Sequence, residues 1–327
     1  MQAVERCPLC ESDSGSTAKL LFRSVDYISQ EVFDVLQCGE CGMAYTGSVP
    51  DQESEFGRYY PQEDYYGSES GERFGSPVER MILAFRRGRA KKVIGARKTG
   101  SVLDVGCGRG LFLRLLKSLG WQCCGTELSE TLVSSLMGCG IDVRRSSVLE
   151  CGFPDNTFDV VTIYHALEHL SNPLETLREV RRVIKEDGLL IIGAPNIASV
   201  QSRLSGSRWF HLDVPRHTVH FSRETLASIA ERCGFEIVAS RSFSAEYDPY
   251  GLLQSILNVL RCRRNFLYQL LRRQRVVRSD VRTLLYDLPL SLLFPILLVL
   301  PCFVAEMLLS LFGLNGTQEI RCRPSVS

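Results

Sequence analysis

The 327-residue sequence carries a formal charge of +1 and is 45% hydrophobic. It can therefore bury a full core, and a general electrostatic affinity for nucleic acid is excluded. Its thirteen cysteines stand mostly singly in apolar or glycine-rich runs, and the opening MQAVERCPLC lacks an apolar signal core. Both features point to a reducing cytoplasm rather than to a disulfide-stapled secreted domain.

Residues 1–50 carry two Cys-x-x-C pairs, CPLC and CGEC, with strand-like pieces such as EVFDVLQC between them. Cys7, Cys10, Cys38 and Cys41 can supply a closed tetrahedral set of thiolates to a structural Zn2+. A redox pair is the rival reading, but two knuckles at this spacing favour zinc. Loss of that metal is expected to unfold the first 50 residues before it touches any chemistry. A polar, tyrosine-rich linker or lid follows over 51–77, and VERMILAFRRGRAKKVIGARK leads in as a helix.

From residue 101 strands and helices alternate. SVLDVG, WQCCGTEL, IDVRRSS, TFDVVTIYH and GLLIIGAPN read as strands; RGLFLRLLKSLG, SETLVSSLMGCG and NPLETLREVRRVIKEDG read as helices. This alternation predicts an α/β fold with a parallel, doubly wound sheet. LDVGCGRG places Asp104, Gly106, Gly108 and Gly110 where a buried strand turns into a helix, so the backbone can approach a ligand and offer unpaired N–H groups. Alone, that loop suits a dinucleotide or a ligand-free turn equally. The next strand ends in Glu127, an acid placed to hold both hydroxyls of a ribose.

With these two motifs and FPDNTFDVVTIYHALEHLSNPLETLREVRRVIKEDGLLIIGAPN, the chain from about residue 78 resembles the class I S-adenosylmethionine-dependent methyltransferases. The resemblance implies a Rossmann-like sheet closed by an antiparallel last strand, for which QEIRCRPS is the candidate. It implies S-adenosylmethionine as cofactor, with Asp104 and the three glycines at its methionine end, Glu127 on the ribose and Leu128 beside the adenine. Where the family often carries an acid for the adenine amine this chain has Ser147, so Ser147 or the backbone of Val148 takes that contact. The cysteine segment resembles a rubredoxin-like zinc ribbon. A ribbon ahead of such a domain resembles enzymes of bacterial sugar and surface-polysaccharide pathways.

The chain has five histidines, and three fall in RWFHLDVPRHTVHFSRETL. Histidine titrates near neutrality and suits removal of an acceptor's hydroxyl proton. His217 is the first candidate for acceptor contact or general base. His220, held close to the following helix cap, is second, and His165, at the end of a strand, is third. The alternative is that these histidines only fix their loops. His165, Glu168 and His169, spaced i, i+3, i+4, can also gather a second metal on one helical face. They resemble the Glu-x-x-Glu-His arrangement of some quinone-pathway O-methyltransferases, with histidine in place of the first acid.

Residues 261–282 are arginine-rich, and LPLSLLFPILLVLPCFVA then runs for about 18 residues without a charge, near the lower limit for a membrane span. Pro289, Pro295 and Pro301 favour a bent hairpin over one straight helix. If QEIRCRPS returns to the sheet, both ends of the run lie on one side of a bilayer, which favours a monotopic insertion beside anionic headgroups. A buried helical cap or a homodimer interface is the alternative use. The expected organisation is a zinc ribbon at 1–50, the linker at 51–77, a methyltransferase domain at 78–245 and 317–327, and an insertion at 246–316. The expected function is O-methylation of a glycan, lipid-linked saccharide or other amphipathic acceptor at the cytoplasmic membrane surface. The alternatives are quinone or lipid methylation and a non-catalytic cofactor-binding scaffold.

Overall fold

The computed structural model describes residues 2–50, 58–59, 76–95, 97–272 and 280–325, so most of the expected linker and part of the arginine-rich stretch lie outside the described residues. The chain divides into two compact units. One comprises Met1–Glu79, Pro195–Arg223 and Arg241–Gln318; the other comprises Arg80–Ala194, Glu224–Ser240 and Glu319–Ser327.

The second unit is built on a seven-stranded sheet. Its spatial order is Phe235–Arg241, Thr317–Pro324, Ile184–Pro195, Phe158–Tyr164, Ser101–Val105, Gln122–Thr126, Asp142–Arg144. The glycine-loop strand Ser101–Val105 lies in the interior, parallel to both neighbours. Near-continuous burial of Phe158–Tyr164 is what a strand covered on both faces requires. Helices Leu111–Ser118 and Glu130–Met137 contribute Phe112, Leu113, Leu116, Val133 and Leu136 to the core against Val102, Val160 and Ile191. QEIRCRPS enters the sheet within Thr317–Pro324, as expected.

One boundary moves. The sequence pattern continues the helix after Asn172 through Gly188, but it ends at Val183, and the strand begins at Ile184 with an irregularity before Leu189. Lys185 Nζ lies 2.9 Å from Asp159 Oδ1 on the neighbouring strand. A Cβ at Gly188 would stand 2.5 Å from Ile184 Cγ1, so only glycine fits that bend. Pairing with the sheet outweighs the helical tendency of this segment.

The first unit gathers the ribbon, the histidine loop and the apolar insertion. Strands Ala18–Val25, Val32–Cys38 and Ala44–Thr46 form a meander, and a fourth strand, Val219–His220, pairs antiparallel with Ala44–Tyr45. Phe33, Val35 and Tyr59 share one buried cluster with Trp209, Leu212 and Val214. The ribbon and the histidine loop therefore have a common core. Arg216 is enclosed there: it bonds Asp26 at 2.6 Å, Asp213 at 2.6 and 3.0 Å, and the Tyr59 carbonyl at 3.1 Å.

The insertion is not the expected hairpin. Leu288–Ser310 is one helix containing Pro295 and Pro301, preceded by a π-helical turn over Thr283–Asp287. Each interior proline forfeits one backbone bond, but the remaining bonds hold the helix in register. It packs Leu290, Phe294, Leu298 and Cys302 against Leu253 and Leu257 of helix Asp248–Val259. A buried carboxylate anchors each end. Asp287 accepts from the Arg263 amide at 3.0 Å, and Glu306 accepts from Gln201 at 2.7 Å and Asn315 at 2.6 Å. The opposite face is bare, with Ile296 78%, Leu300 68%, Val304 48% and Leu308 59% exposed.

Candidate active site

In the sheet unit, strand Ser101–Val105 carries Asp104 to its C-terminal end, where open α/β sheets bind ligands. Asp104 is buried and accepts a 2.6 Å bond from Thr162 Oγ1 on the neighbouring strand. Burial pushes its carboxyl up to about 6, against the opposing pull of that bond and of Arg89 and Arg86. The three glycines that follow all have positive φ. At Gly106 a Cβ would meet Ala166 at 2.7 Å and at Gly110 it would meet Leu136 at 2.3 Å, whereas at Gly108 it would meet open space. Packing demands the outer two glycines. The middle one leaves room for a ligand.

Glu127 closes the other side of this cradle. Its carboxylate accepts from the amides of Gly108 at 3.0 Å, Leu128 at 2.8 Å and Ser129 at 2.9 Å. The tip of the second strand is thus tied to the glycine loop. Leu128 is 66% exposed, an apolar surface suited to one face of a base. Ser147 caps the short turn Val148–Glu150 by accepting from the Leu149 amide at 3.3 Å, and the Val148 side chain is buried. Sequence reasoning missed Thr162, Arg86 and Arg89. A lone hydroxyl residue inside the apolar run DVVTIY is the signal that marks Thr162.

The cradle fits the methionine and ribose ends of S-adenosylmethionine: a buried acid, an open glycine and a second acid on the adjacent strand. A cationic cofactor favours ionised Asp104, so binding should release a proton and weaken on acidification. Between pH 7.5 and 5.5 the affinity measured by calorimetry should fall about fourfold on this account. Asp104→Asn should bind more weakly and lose that pH dependence; a variant retaining the wild-type profile would remove Asp104 from the site.

His165 sits at φ 52° with Nδ1 3.3 Å from Glu168 Oε1. The expected helical face does not form, because only Leu167–His169 is helical, as a single 3-10 turn. Among the described residues, His165, Glu168 and His169 do not converge as three metal ligands.

In the first unit the histidine loop fixes its own protonation pattern. His217 Nδ1 lies 2.8 Å from the His211 carbonyl oxygen. An oxygen of that kind can only accept, so Nδ1 carries a hydrogen. Thr46 Oγ1 donates to the His217 carbonyl at 2.7 Å and lies 3.2 Å from His220 Nε2. With its one hydrogen spent, the hydroxyl accepts from His220 Nε2–H. His220 is therefore held by a ribbon strand and its threonine. His211 positions His217 through its carbonyl, its own ring edge-on to Trp209 and Phe210.

The four ribbon cysteines each bring Sγ within 4.8 Å of the others. Cys7 and Cys41 approach to 3.5 Å and Cys10 and Cys38 to 3.6 Å, near the spacing of about 3.8 Å that tetrahedral Zn–S bonds of about 2.3 Å impose. Burial pushes Cys7 up to about 11. At Cys38 burial acts in the same direction, but the Ser12 hydroxyl and the Cys41 and Glu40 amides outweigh it and bring the thiol down to about 6. Thiolates packed this closely need a cation between them. The donor set fits zinc.

Residues 78–240 match a family described as a methyltransferase domain. A Mycolicibacterium smegmatis protein named "Probable S-adenosylmethionine-dependent methyltransferase" is 28% identical over 138 residues, covering 42% of this chain and 52% of its own length. A ubiquinone biosynthesis O-methyltransferase of Maricaulis maris is 30% identical over 131 residues, covering 37% and 52%. The chain thus spans about half the length of the curated relatives it matches. A solved S-adenosylmethionine-dependent methyltransferase from Archaeoglobus fulgidus is 23% identical with a TM-score of 0.49, covering 81% of this chain and 99% of that one.

Proposed function

Residues 78–240 belong to the class I S-adenosylmethionine-dependent methyltransferases, and from that premise we propose that this chain O-methylates an amphipathic acceptor, a glycan or lipid-linked saccharide, at the cytoplasmic face of a membrane. The observation that carries the enzymatic part is the Asp104–Gly108–Glu127 cradle, a buried acid and a second, bonded acid facing an open glycine. S-adenosylmethionine, when bound there, supplies a methyl group activated on a sulfonium. Asp104 and Glu127 hold it, and the exposed Leu128 flanks its adenine.

The acceptor must lose a proton, and His217 is the general base in this reading. Its Nδ1–H is committed to the His211 carbonyl, and Nε2 of the neutral ring is the atom proposed to take the hydroxyl proton. His220 carries the opposite tautomer and serves as a positioning residue, and His165 is the third candidate. Zn2+ on Cys7, Cys10, Cys38 and Cys41 is structural, since four thiolates leave no open coordination position.

The membrane part rests on helix Leu288–Ser310. Thr283–Ser310 is 28 residues long and apolar enough to cross a bilayer, yet only 11% of its most apolar window is buried, which is not the burial of a core helix. Asp287 and Glu306 tie both ends to the same unit. The helix therefore lies along that unit and offers one apolar face to lipid, flanked by the exposed cations Arg261 and Arg282 that suit anionic headgroups. Quinone methylation is the second reading, favoured by the O-methyltransferase relative of Maricaulis maris.

Labelled S-adenosylmethionine offered with separate lipid-extract and soluble nucleotide-sugar fractions tests the proposal. Label should enter a saccharide of the lipid extract, and His217→Ala should reduce it by about 10²-fold or more. Label confined to the soluble fraction would overturn the membrane acceptor, and full turnover by the variant would remove the base. Label in a quinone would select the second reading, and no label anywhere would leave a cofactor-binding scaffold.

A further inference from the structure

The segment that carries His217 also carries a concentration of arginine. Arg208 and Arg216 belong to it, and Arg264 comes from the turn before helix Phe266–Leu271. Asn258, wholly buried, binds these pieces together. Its side chain donates to the Arg208 carbonyl at 3.1 Å and to Asn265 Oδ1 at 2.9 Å, and it accepts from the Asn265 amide at 2.9 Å. Gln254 donates to Asn258 at 3.0 Å, and Gln269 donates to the Arg264 carbonyl at 3.0 Å. A ladder of buried amides thus fixes both arginine backbones from below.

The guanidinium groups are used unequally. Arg216 is consumed by Asp26, Asp213 and Tyr59. Arg208 donates once, to the Asn258 carbonyl at 3.0 Å. Among the described residues, no hydrogen bond or ion pair engages the Arg264 guanidinium, although it is half-buried. Asp26 and Asp213 act on Arg264 favourably and Arg208 and Arg216 unfavourably, while burial brings it down to about 10. Among the described residues, three arginines against two carboxylates leave one positive charge, partly withdrawn from bulk water. Such a charge is costly unless a ligand completes it.

We propose that Arg208 and Arg264 form an anion subsite for a phosphate or diphosphate ester, the charged portion of the acceptor whose hydroxyl His217 deprotonates. Two planar guanidinium groups present more donors than one carboxylate can accept, whereas a tetrahedral phosphate has oxygens for both. A lipid-linked saccharide and a soluble nucleotide sugar share this group. The assignment of the ligand as acceptor rests on the methyltransferase reading; the anion site does not.

Calorimetry of the full chain with inorganic pyrophosphate tests the site without any methyl transfer. The wild type should bind, with affinity falling as salt rises, and Arg264→Gln and Arg208→Gln should each bind at least about tenfold more weakly. Arg203→Gln, which removes an exposed arginine of the same unit that has no part in the site, should bind as the wild type does. Circular dichroism and Arg264→Lys, which keeps the charge but not the fork, separate loss of the site from loss of the fold. Absence of pyrophosphate binding to folded wild type, or equal binding by folded Arg264→Gln, would overturn the proposal. Vesicles of phosphatidic acid in phosphatidylcholine then distinguish the sources. Binding that pyrophosphate displaces and Arg264→Gln loses places the site on a lipid phosphate; pyrophosphate binding without such displacement places it on a soluble ester. Pyrophosphate binding together with failed methylation of every fraction would sink the enzymatic reading and leave the anion site standing.

Discussion

Removal of the zinc proposed for the Cys7, Cys10, Cys38 and Cys41 cluster is expected to abolish methyl transfer together with the fold of the segment around it. Structural zinc contributes on the order of 10 kcal/mol to the domains it organises, and the strand that follows Cys41, Ala44–Thr46, is the one that pairs with Val219–His220. Thr46 also holds the His217 carbonyl and the His220 ring. Chelation, or Cys38→Ser, should therefore expose the amides of residues 32–46 and 217–220 to hydrogen exchange as one step, with turnover falling in parallel. The sequence alone led to the expectation that metal loss unfolds the first 50 residues before it touches any chemistry; the pairing with Val219–His220 makes the two fall together. Exchange confined to residues 32–46, with 217–220 still protected and turnover intact, would refute the coupling.

Arg216→Met is expected to destabilise the first unit by about 3–5 kcal/mol, because it leaves a buried carboxylate without its partner. Asp26 and Arg216 are both fully enclosed, and Asp213 is largely so. Burial alone would disfavour the charge on Arg216, but Asp213, Tyr27 and Asp26 more than offset it and raise its pKa well above the ordinary value. Arg216→Met with Asp26→Leu should recover part of the loss, since the fully enclosed orphan charge is gone and only the partly exposed Asp213 remains without Arg216. Urea unfolding measures both, and a single-variant cost below about 1 kcal/mol would show that the pair does not hold the loop.

The sheet unit was largely legible in the sequence because its signals are local. Buried strands alternate with amphipathic helices, and glycines mark the turn that must admit a ligand. Asp104, Gly106, Gly108, Gly110 and Glu127 all come from two adjacent strand ends, so one motif leads to the other. The first unit was not legible in the same way. Val219–His220 is a strand of two residues with no periodicity of its own; only its partner, far away in the chain, makes it one. The helix Leu288–Ser310 misled through its prolines. Proline argues against a helix one bond at a time, while packing on Leu253 and Leu257 and the buried Asp287 and Glu306 at its ends act on the whole segment. Arg264 gave no signal among the many arginines around it. What singles it out is the lack of a partner among the described residues, and partners appear only after folding.

The pairing of Ala44–Thr46 with Val219–His220 also bears on how the protein is made. Thr46 and His220 are 174 residues apart, and at translation rates of about 5–20 residues per second the ribbon waits roughly 10–35 s for its fourth strand. During that interval an emerging chain presents an open sheet edge and four reducing thiols. Early capture of zinc would protect both, so that the nascent ribbon becomes the template on which the histidine segment later docks.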